Sequence, residues 1–280
     1  MIKLLITDLD DTLYSWIGFF VPAFYDMLNA LSVILEKKEA DLLLEYRKIH
    51  QEKGSVEFPH ATLLLPSVIQ KFPDYTKSEL MEALDVAFYK FNSARKKNLH
   101  LFPTVKETLE CLSKSGIIIV GYTDSAEENG FYRLKKLGIE ELFHKVYVSD
   151  SQYERPDHIP ASPKTQIVQG KKPNPGLLEQ ICISEGIHVS EVLYVGDSIT
   201  KDIYMAKVAG ILSVLCNFPK REDAGTLYKK LVAISHWTAS DFQIEDELKD
   251  ICRNHCITPD FIIESYSGII QIVEKLNIKS

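Results

Sequence analysis

The chain opens with a short apolar run, Ile2, Leu4, Leu5 and Ile6, that stops abruptly at Asp8, Asp10 and Asp11. Apolar residues without polar alternation, followed at once by acids, predict a buried parallel strand that feeds a loop. From about residue 20 to 100 the pattern changes. Phe24, Met27, Leu28, Leu31, Ile34 and Leu35, then Leu80, Leu84, Phe88 and Phe91, recur at helical spacing, and Pro59, Pro66 and Pro73 punctuate the stretch. After Phe102-Pro103 strands and helices alternate. A helix over 105–114 ends at Gly116 and leads into a strand over 117–122. Further strands are predicted at 146–148, 192–195, 212–216 and 261–263, separated by helices ending near Leu137, over 177–183 and over 202–209.

That order predicts an α/β fold, a Rossmann-like doubly wound parallel sheet core interrupted by an inserted all-helical domain. The expected boundaries are 1–13 and 102–280 for the core and 14–101 for the insertion. Two segments break the rhythm: 149–171, rich in proline and polar residues and read as an extended loop, and 217–259, with charged helical stretches and Trp237. Both follow strand ends, where loops surround the ligand crevice of such sheets. Trp237 is expected to pack rather than to contact a partner.

Composition narrows the function classes. The chain of 280 residues is 45% hydrophobic and 25% charged, and its net charge of −7, with no basic block, argues against nucleic-acid binding. Five scattered cysteines (Cys111, Cys182, Cys216, Cys252 and Cys256) form no paired framework, which fits a reducing cytoplasm. The first apolar run is too short for a signal sequence, and no stretch is expected to span a membrane.

The polar residues at the predicted strand ends carry the chemistry. Asp8, Asp10 and Thr12 follow the first strand, Thr123 ends the second, Lys172 precedes Pro173, and Gly196-Asp197 with Asp202 follows a later strand. Singly each has a bland reading: a solvated turn, a surface loop, or a helix cap. Together and in this order they form a set for phosphoryl transfer. A carboxylate can approach an anionic phosphate only if a lysine and a divalent cation compensate the charge.

These motifs resemble those of the haloacid dehalogenase-like hydrolase superfamily: Asp-x-Asp-x-Thr at Asp8, Asp10 and Thr12, a Ser or Thr at Thr123, Lys-Pro at Lys172, and Gly-Asp-x-x-x-x-Asp at Gly196, Asp197 and Asp202. The resemblance implies that Asp8 attacks phosphorus and that Asp10 protonates the leaving oxygen and then activates water. It implies that Thr123, amide groups near Asp124, and Lys172 hold the phosphoryl group. Mg2+ would be held by Asp8, the backbone carbonyl of Asp10, and Asp197, while Asp202 orients Lys172 or a metal-bound water. The expected activity is hydrolysis of a small soluble phosphomonoester, the partner being a phosphorylated metabolite and the protein a monomer or homodimer. A phosphomutase of the same fold and a non-catalytic phosphate-binding regulator are the alternatives. An acid at position 10 favours attack on phosphorus over dehalogenation. By the same resemblance the helical insertion is a cap, hinged near Leu13-Tyr14 and Leu101-Phe102. Within it Arg47, Lys53 and His60, with His50, are candidates for selecting the substrate.

Overall fold

Residues 4–7 are apolar or β-branched throughout, as a strand covered on both faces requires, and Leu4–Thr7 (β1) is buried along its whole length. The computed structural model describes residues 1–58, 60–150, 162–218 and 223–278. Among these, β1 is joined by Ile118–Ala126 (β2), Lys145–Ser149 (β3), Thr165–Val168 (β4), Val192–Gly196 (β5), Leu212–Cys216 (β6) and Phe261–Ile263 (β7). All pairings are parallel, and the strand order is β4-β3-β2-β1-β5-β6-β7. The helices are α1 (Trp16–Leu35), α2 (Glu39–Lys53), α3 (Pro66–Lys71), α4 (Lys77–Ala83), α5 (Asp85–Asn98), α6 (Val105–Lys114), α7 (Glu127–Leu137), α8 (Pro175–Glu185), α9 (Tyr204–Val208), α10 (Ala224–Ile234), α11 (Ala239–Asn254) and α12 (Gly268–Ile278).

From β1 the chain steps outward through β2 and β3 to β4, then returns to the other side of β1 and steps outward through β5 and β6 to β7. The reversal lies at β1, and the crevice beyond the carboxyl ends of the strands there is where doubly wound sheets bind ligands. Alternating residues of the central strands, Leu4 and Ile6, Val120 and Tyr122, Val192 and Tyr194, pack with Leu178 and Ile181 of α8 and Met205 and Ala206 of α9. α6 and α7 contact β2.

β4 corrects the extended loop expected over 149–171. Thr165, Gln166, Ile167 and Val168 pair with β3 at the sheet edge, and their half-buried or exposed side chains leave no apolar period to read. Residues 151–161 of that segment lie outside the described residues.

The chain divides into two compact units. One comprises Met1–Ser15, His100–Pro219 and Ile244–Ser280 and holds the sheet; the other comprises Trp16–Leu99 and Lys220–Gln243 and is helical. α10, which the sequence reading left with the sheet, therefore belongs to the helical unit. There it packs against α1 and α2. Tyr25 donates to the Lys230 carbonyl at 3.1 Å, and His50 Nδ1 donates to the Ile234 carbonyl at 2.7 Å. His50 is thus a buried tie between helices rather than a substrate contact, and burial lowers its pKa despite that bond. Trp237 does pack, half-buried between the rings of Tyr228 and Phe242 at 6.3 and 6.0 Å.

α1 also corrects an expectation, being long and apolar enough by length and composition to cross a membrane. Half of it is buried inside the helical unit, where Phe24 meets Tyr46 edge-on at 4.8 Å and Phe20 meets Phe91 at 6.1 Å. Its apolarity is that of a core helix.

Candidate active site

Asp8 stands where β1 ends, its backbone N–H donating to the Val195 carbonyl at 2.8 Å and so extending the β1–β5 ladder by one residue. A tight turn follows. Asp11 takes a left-handed φ of 59° and donates to the Tyr14 carbonyl at 2.8 Å, while Phe102 donates to the Leu13 carbonyl at 2.8 Å. The chain segments at Leu13-Tyr14 and Leu101-Phe102 therefore run side by side. The turn sends Thr12 back over Asp8, where its hydroxyl donates to Asp8 Oδ2 at 2.8 Å.

Lys172 reaches Asp8 from the loop before α8. Its backbone N–H donates to Asp124 Oδ1 at 2.9 Å, and the next residues start α8 with Asn174 as cap and Pro175 in the first turn. The Lys172 ammonium pairs with Asp8 Oδ1 and, at 2.9 Å, with Asp202 Oδ1. It also lies 4.9 Å from the centre of the Tyr122 ring and 5.8 Å from that of Tyr194. Burial would lower its pKa, but Asp202 and then Asp8 outweigh burial and hold it charged well above the usual range. Asp8 is pushed well above the carboxylate range, by burial first, with Lys172 opposing and Asp202, Asp197 and Asp10 adding to the rise.

Asp202 sits on a single π-helical turn, Ile199–Ile203, opened by Ser198 as cap. It accepts from Tyr194 OH at 2.8 Å and from the Ser198 N–H at 3.1 Å, in addition to its pairing with Lys172. Close approach to the backbone makes this possible: a Cβ at Gly196 would lie 2.4 Å from Asp202 Cγ. Gly196→Ala is therefore expected to cost about 1–3 kcal/mol by overpacking and to displace the Asp202–Lys172 pair. Denaturant unfolding of the variant checks this; an unchanged midpoint would mean that Asp202 has room to move.

Asp10 is the second carboxylate of the turn. Its Oδ2 accepts from Thr123 and Ser125 hydroxyls, each at 2.9 Å, and its Oδ1 accepts from Tyr14 OH at 2.9 Å and from Arg133 Nη1. Burial would raise its pKa, but Arg133 first, then Ser125, Tyr14 and Thr123, bring it below the ordinary value. Asp8 and Asp10, two residues apart, thus occupy contrasting environments.

Oxygen atoms of Asp8, Asp197 and Asp202 lie within 4.8 Å of one another. Asp197 is lifted to about 7, by loss of surrounding water and then by the charges of Asp202 and Asp11. It remains exposed to solvent, so the neighbouring carboxylates carry the direction. The Lys172 ammonium pairs with two of these three carboxylates, Asp8 and Asp202, and an oxygen donor set of this charge fits a hard divalent cation.

The sheet unit thus brings Asp8, Asp10, Thr123, Asp124, Lys172, Asp197 and Asp202 to the ends of β1, β2 and β5. The other candidates lie in the helical unit. Arg47 is half-buried on α2, Lys53 holds its ammonium 5.2 Å from the Phe58 ring centre, and His60 is exposed with a φ of 63°.

A family model of the haloacid dehalogenase-like hydrolases matches residues 2–210. The chain belongs to that family. A glyceraldehyde 3-phosphate phosphatase from Methanopyrus kandleri is 27% identical over 226 residues, 80% of this chain and 87% of the relative. A phosphoglycolate phosphatase from Mannheimia succiniciproducens is 31% identical over 144 residues, 51% of this chain and 54% of the relative. In fold, this haloacid dehalogenase-like hydrolase is similar to a 2-haloacid dehalogenase from Pseudomonas syringae pv. tomato, with a TM-score of 0.58 at 20% identity over 98% of this chain and 99% of that one.

Sequence reasoning did not single out Arg133, Ser125 or Tyr194, and it read Tyr14 only as a hinge. Arg133 lies on the buried stripe of α7 with Glu127, Gly130 and Leu134, but of these only Leu134 is a large apolar residue, so the sequence pattern does not mark the cation as facing inward.

Proposed function

We propose that this protein is a phosphatase that hydrolyses a small phosphorylated metabolite through an aspartyl-phosphate on Asp8. The observation that carries this reading is the contrast between its two carboxylates. Asp8 is aligned and charge-compensated by Thr12 and Lys172, as a nucleophile toward an anion must be. Asp10 is held by other donors, as a separate proton-transfer group must be.

In the proposed reaction an Asp8 oxygen forms a bond to phosphorus as the bond to the leaving oxygen breaks, and Asp10 gives that oxygen a proton. Water then attacks phosphorus, the Asp8–phosphorus bond breaks, and the water proton passes to Asp10. Thr123 donates to a phosphoryl oxygen, with amide groups near Asp124 assisting, and Lys172 offsets charge on both reacting groups. Asp8, the Asp10 backbone carbonyl and Asp197 would hold Mg2+. When bound, the ion supplies positive charge that lets anionic nucleophile and anionic substrate approach. Asp202 keeps Lys172 in place.

The helical unit acts in this reading as a cap that selects the substrate, with Arg47, Lys53 and His60 as the residues to test. Five free cysteines and metabolite-directed chemistry support a cytoplasmic protein. The names of the relatives support a short phosphorylated carbon chain as substrate. Purified protein should release phosphate from glyceraldehyde 3-phosphate, phosphoglycolate or a related ester with Mg2+ present, and lose that activity with a chelator. Alanine at Arg47, Lys53 or His60 should reorder the substrates. Absence of turnover across the panel in folded protein would overturn the reading, and transfer to a second sugar hydroxyl in place of phosphate release would make it a mutase.

A further inference from the structure

The reading of Asp10 as acid and base leaves unexplained why a buried guanidinium is aimed at it. Arg133 is 3% exposed, and its Nη1 donates to Asp10 Oδ1 while lying 3.3 Å from Ser125 Oγ and 3.5 Å from Tyr14 OH. A buried arginine costs desolvation and is normally matched by a fixed acceptor. Here the acceptor is the group that must handle a proton in every cycle.

The two oxygens of Asp10 are held differently. Oδ1 is held by Arg133 and Tyr14, and Oδ2 by the hydroxyls of Thr123 and Ser125. Thr123 has a single hydroxyl proton, and its oxygen already accepts the Ser125 N–H at 3.0 Å, so that proton has one recipient at a time. When a phosphoryl oxygen takes it, Oδ2 loses a donor while Oδ1 keeps its planar, permanently charged partner.

We propose, resting on the acid–base reading of Asp10, that Arg133 is its positioning residue: it anchors Oδ1 and so makes Oδ2 the oxygen that gives and takes the proton. In the first half-reaction the Oδ2 proton passes to the leaving oxygen as its bond to phosphorus breaks and the Asp8 bond forms. In the second a proton of the attacking water passes to Oδ2 as the Asp8–phosphorus bond breaks. Oδ1 accepts from Arg133 and Tyr14 in both protonation states, so the carboxyl plane is held through the cycle. Gly130 on the same face of α7 keeps the approach narrow, because a Cβ there would lie 3.1 Å from Thr123 Cγ2.

A double-mutant cycle tests this in the full-length protein: Arg133→Met, Asp10→Asn and the two combined. The substrates are the alkyl phosphate that the unaltered protein turns over fastest and p-nitrophenyl phosphate, whose leaving group needs no proton. Arg133→Met should lower kcat on the alkyl phosphate by about tenfold to a thousandfold, within what acid–base groups contribute, yet change turnover by less than about threefold when Asp10 is already Asn. It should also accumulate phosphoenzyme from p-nitrophenyl phosphate, because water activation fails while attack by Asp8 does not. Arg133→Lys should recover part of the loss, and it replaces Arg133→Met in the cycle if that variant does not fold. Equal losses in both backgrounds, or no loss from Arg133→Met, would overturn the inference while leaving the Asp10 reading intact. Wild-type turnover by Asp10→Asn alone would instead overturn the acid–base reading, and the role of Arg133 with it.

Discussion

Asp8→Asn is expected to abolish phosphate release, whereas Asp10→Asn leaves a protein that becomes phosphorylated and then stalls. The amide at position 8 keeps nearly the same shape but has no anionic oxygen to attack phosphorus, and loss of a nucleophile that works as part of a unit costs on the order of a millionfold. The amide at position 10 cannot protonate the leaving oxygen or accept a proton from water, a loss of about a hundredfold to ten-thousandfold. With a good leaving group the first half-reaction needs no acid, so the Asp10 variant should trap the aspartyl-phosphate. Mass spectrometry of acid-quenched protein checks this, the adduct appearing on Asp8 in the Asp10 variant and absent from the Asp8 variant. Rates close to wild type in both would overturn the two-carboxylate mechanism.

Lys172→Met should damage both the fold and the chemistry. Lys172 is 8% exposed, and its partners Asp8 and Asp202 are themselves buried. Removing one member of a buried ion pair leaves uncompensated charge and typically costs about 3–5 kcal/mol. The sign with pH follows from the raised pKa of Lys172. Its stabilisation is present throughout the neutral range and is lost only as alkaline pH approaches its elevated folded value. Denaturant unfolding at neutral pH should thus show the variant less stable in the absence of Mg2+, and phosphate release should fall by about a hundredfold or more, as when an electrostatic donor to the reacting group is removed. A variant as stable and active as the parent would mean that another cation does the work assigned to Lys172.

Most of the order of chemistry along the chain was legible because three of the four motifs follow or end a strongly apolar strand, Lys172 before Pro173 being read from its motif alone. Asp8 after β1, Thr123 within β2 and Asp197 after β5 stand where buried runs give way to polar residues. The doubly wound sheet follows from the same alternation. What stayed hidden had weak or misleading local signals. β4 lies at the sheet edge with exposed Gln166 and Ile167, so neither alternation nor a continuous apolar run marks it. Arg133 stands near Lys135 and Lys136 toward the end of α7, where cations suit the helix dipole and read as solvated. α10 lies in a segment after β6 that reads as charged helical stretches, and only the folded chain reveals that it packs against α1 and α2. α1 illustrates the converse, since an apolar stretch of 20 residues is ambiguous until its neighbours are known.

The placement of α10 bears on how the helical unit of this protein could be exchanged by engineering. A chimera that transplants only residues 16–99 from a relative would remove the carriers of Tyr25 and His50, whose partners lie in the distant segment at Lys230 and Ile234. The buried Leu227, Leu231 and Ile234 would then face a foreign surface. Recombination at the two crossings beside Leu13-Tyr14 and Leu101-Phe102 is thus insufficient to move the helical unit intact. A graft has to carry residues 220–243 as well, because the helical unit is built from two separate stretches of the chain.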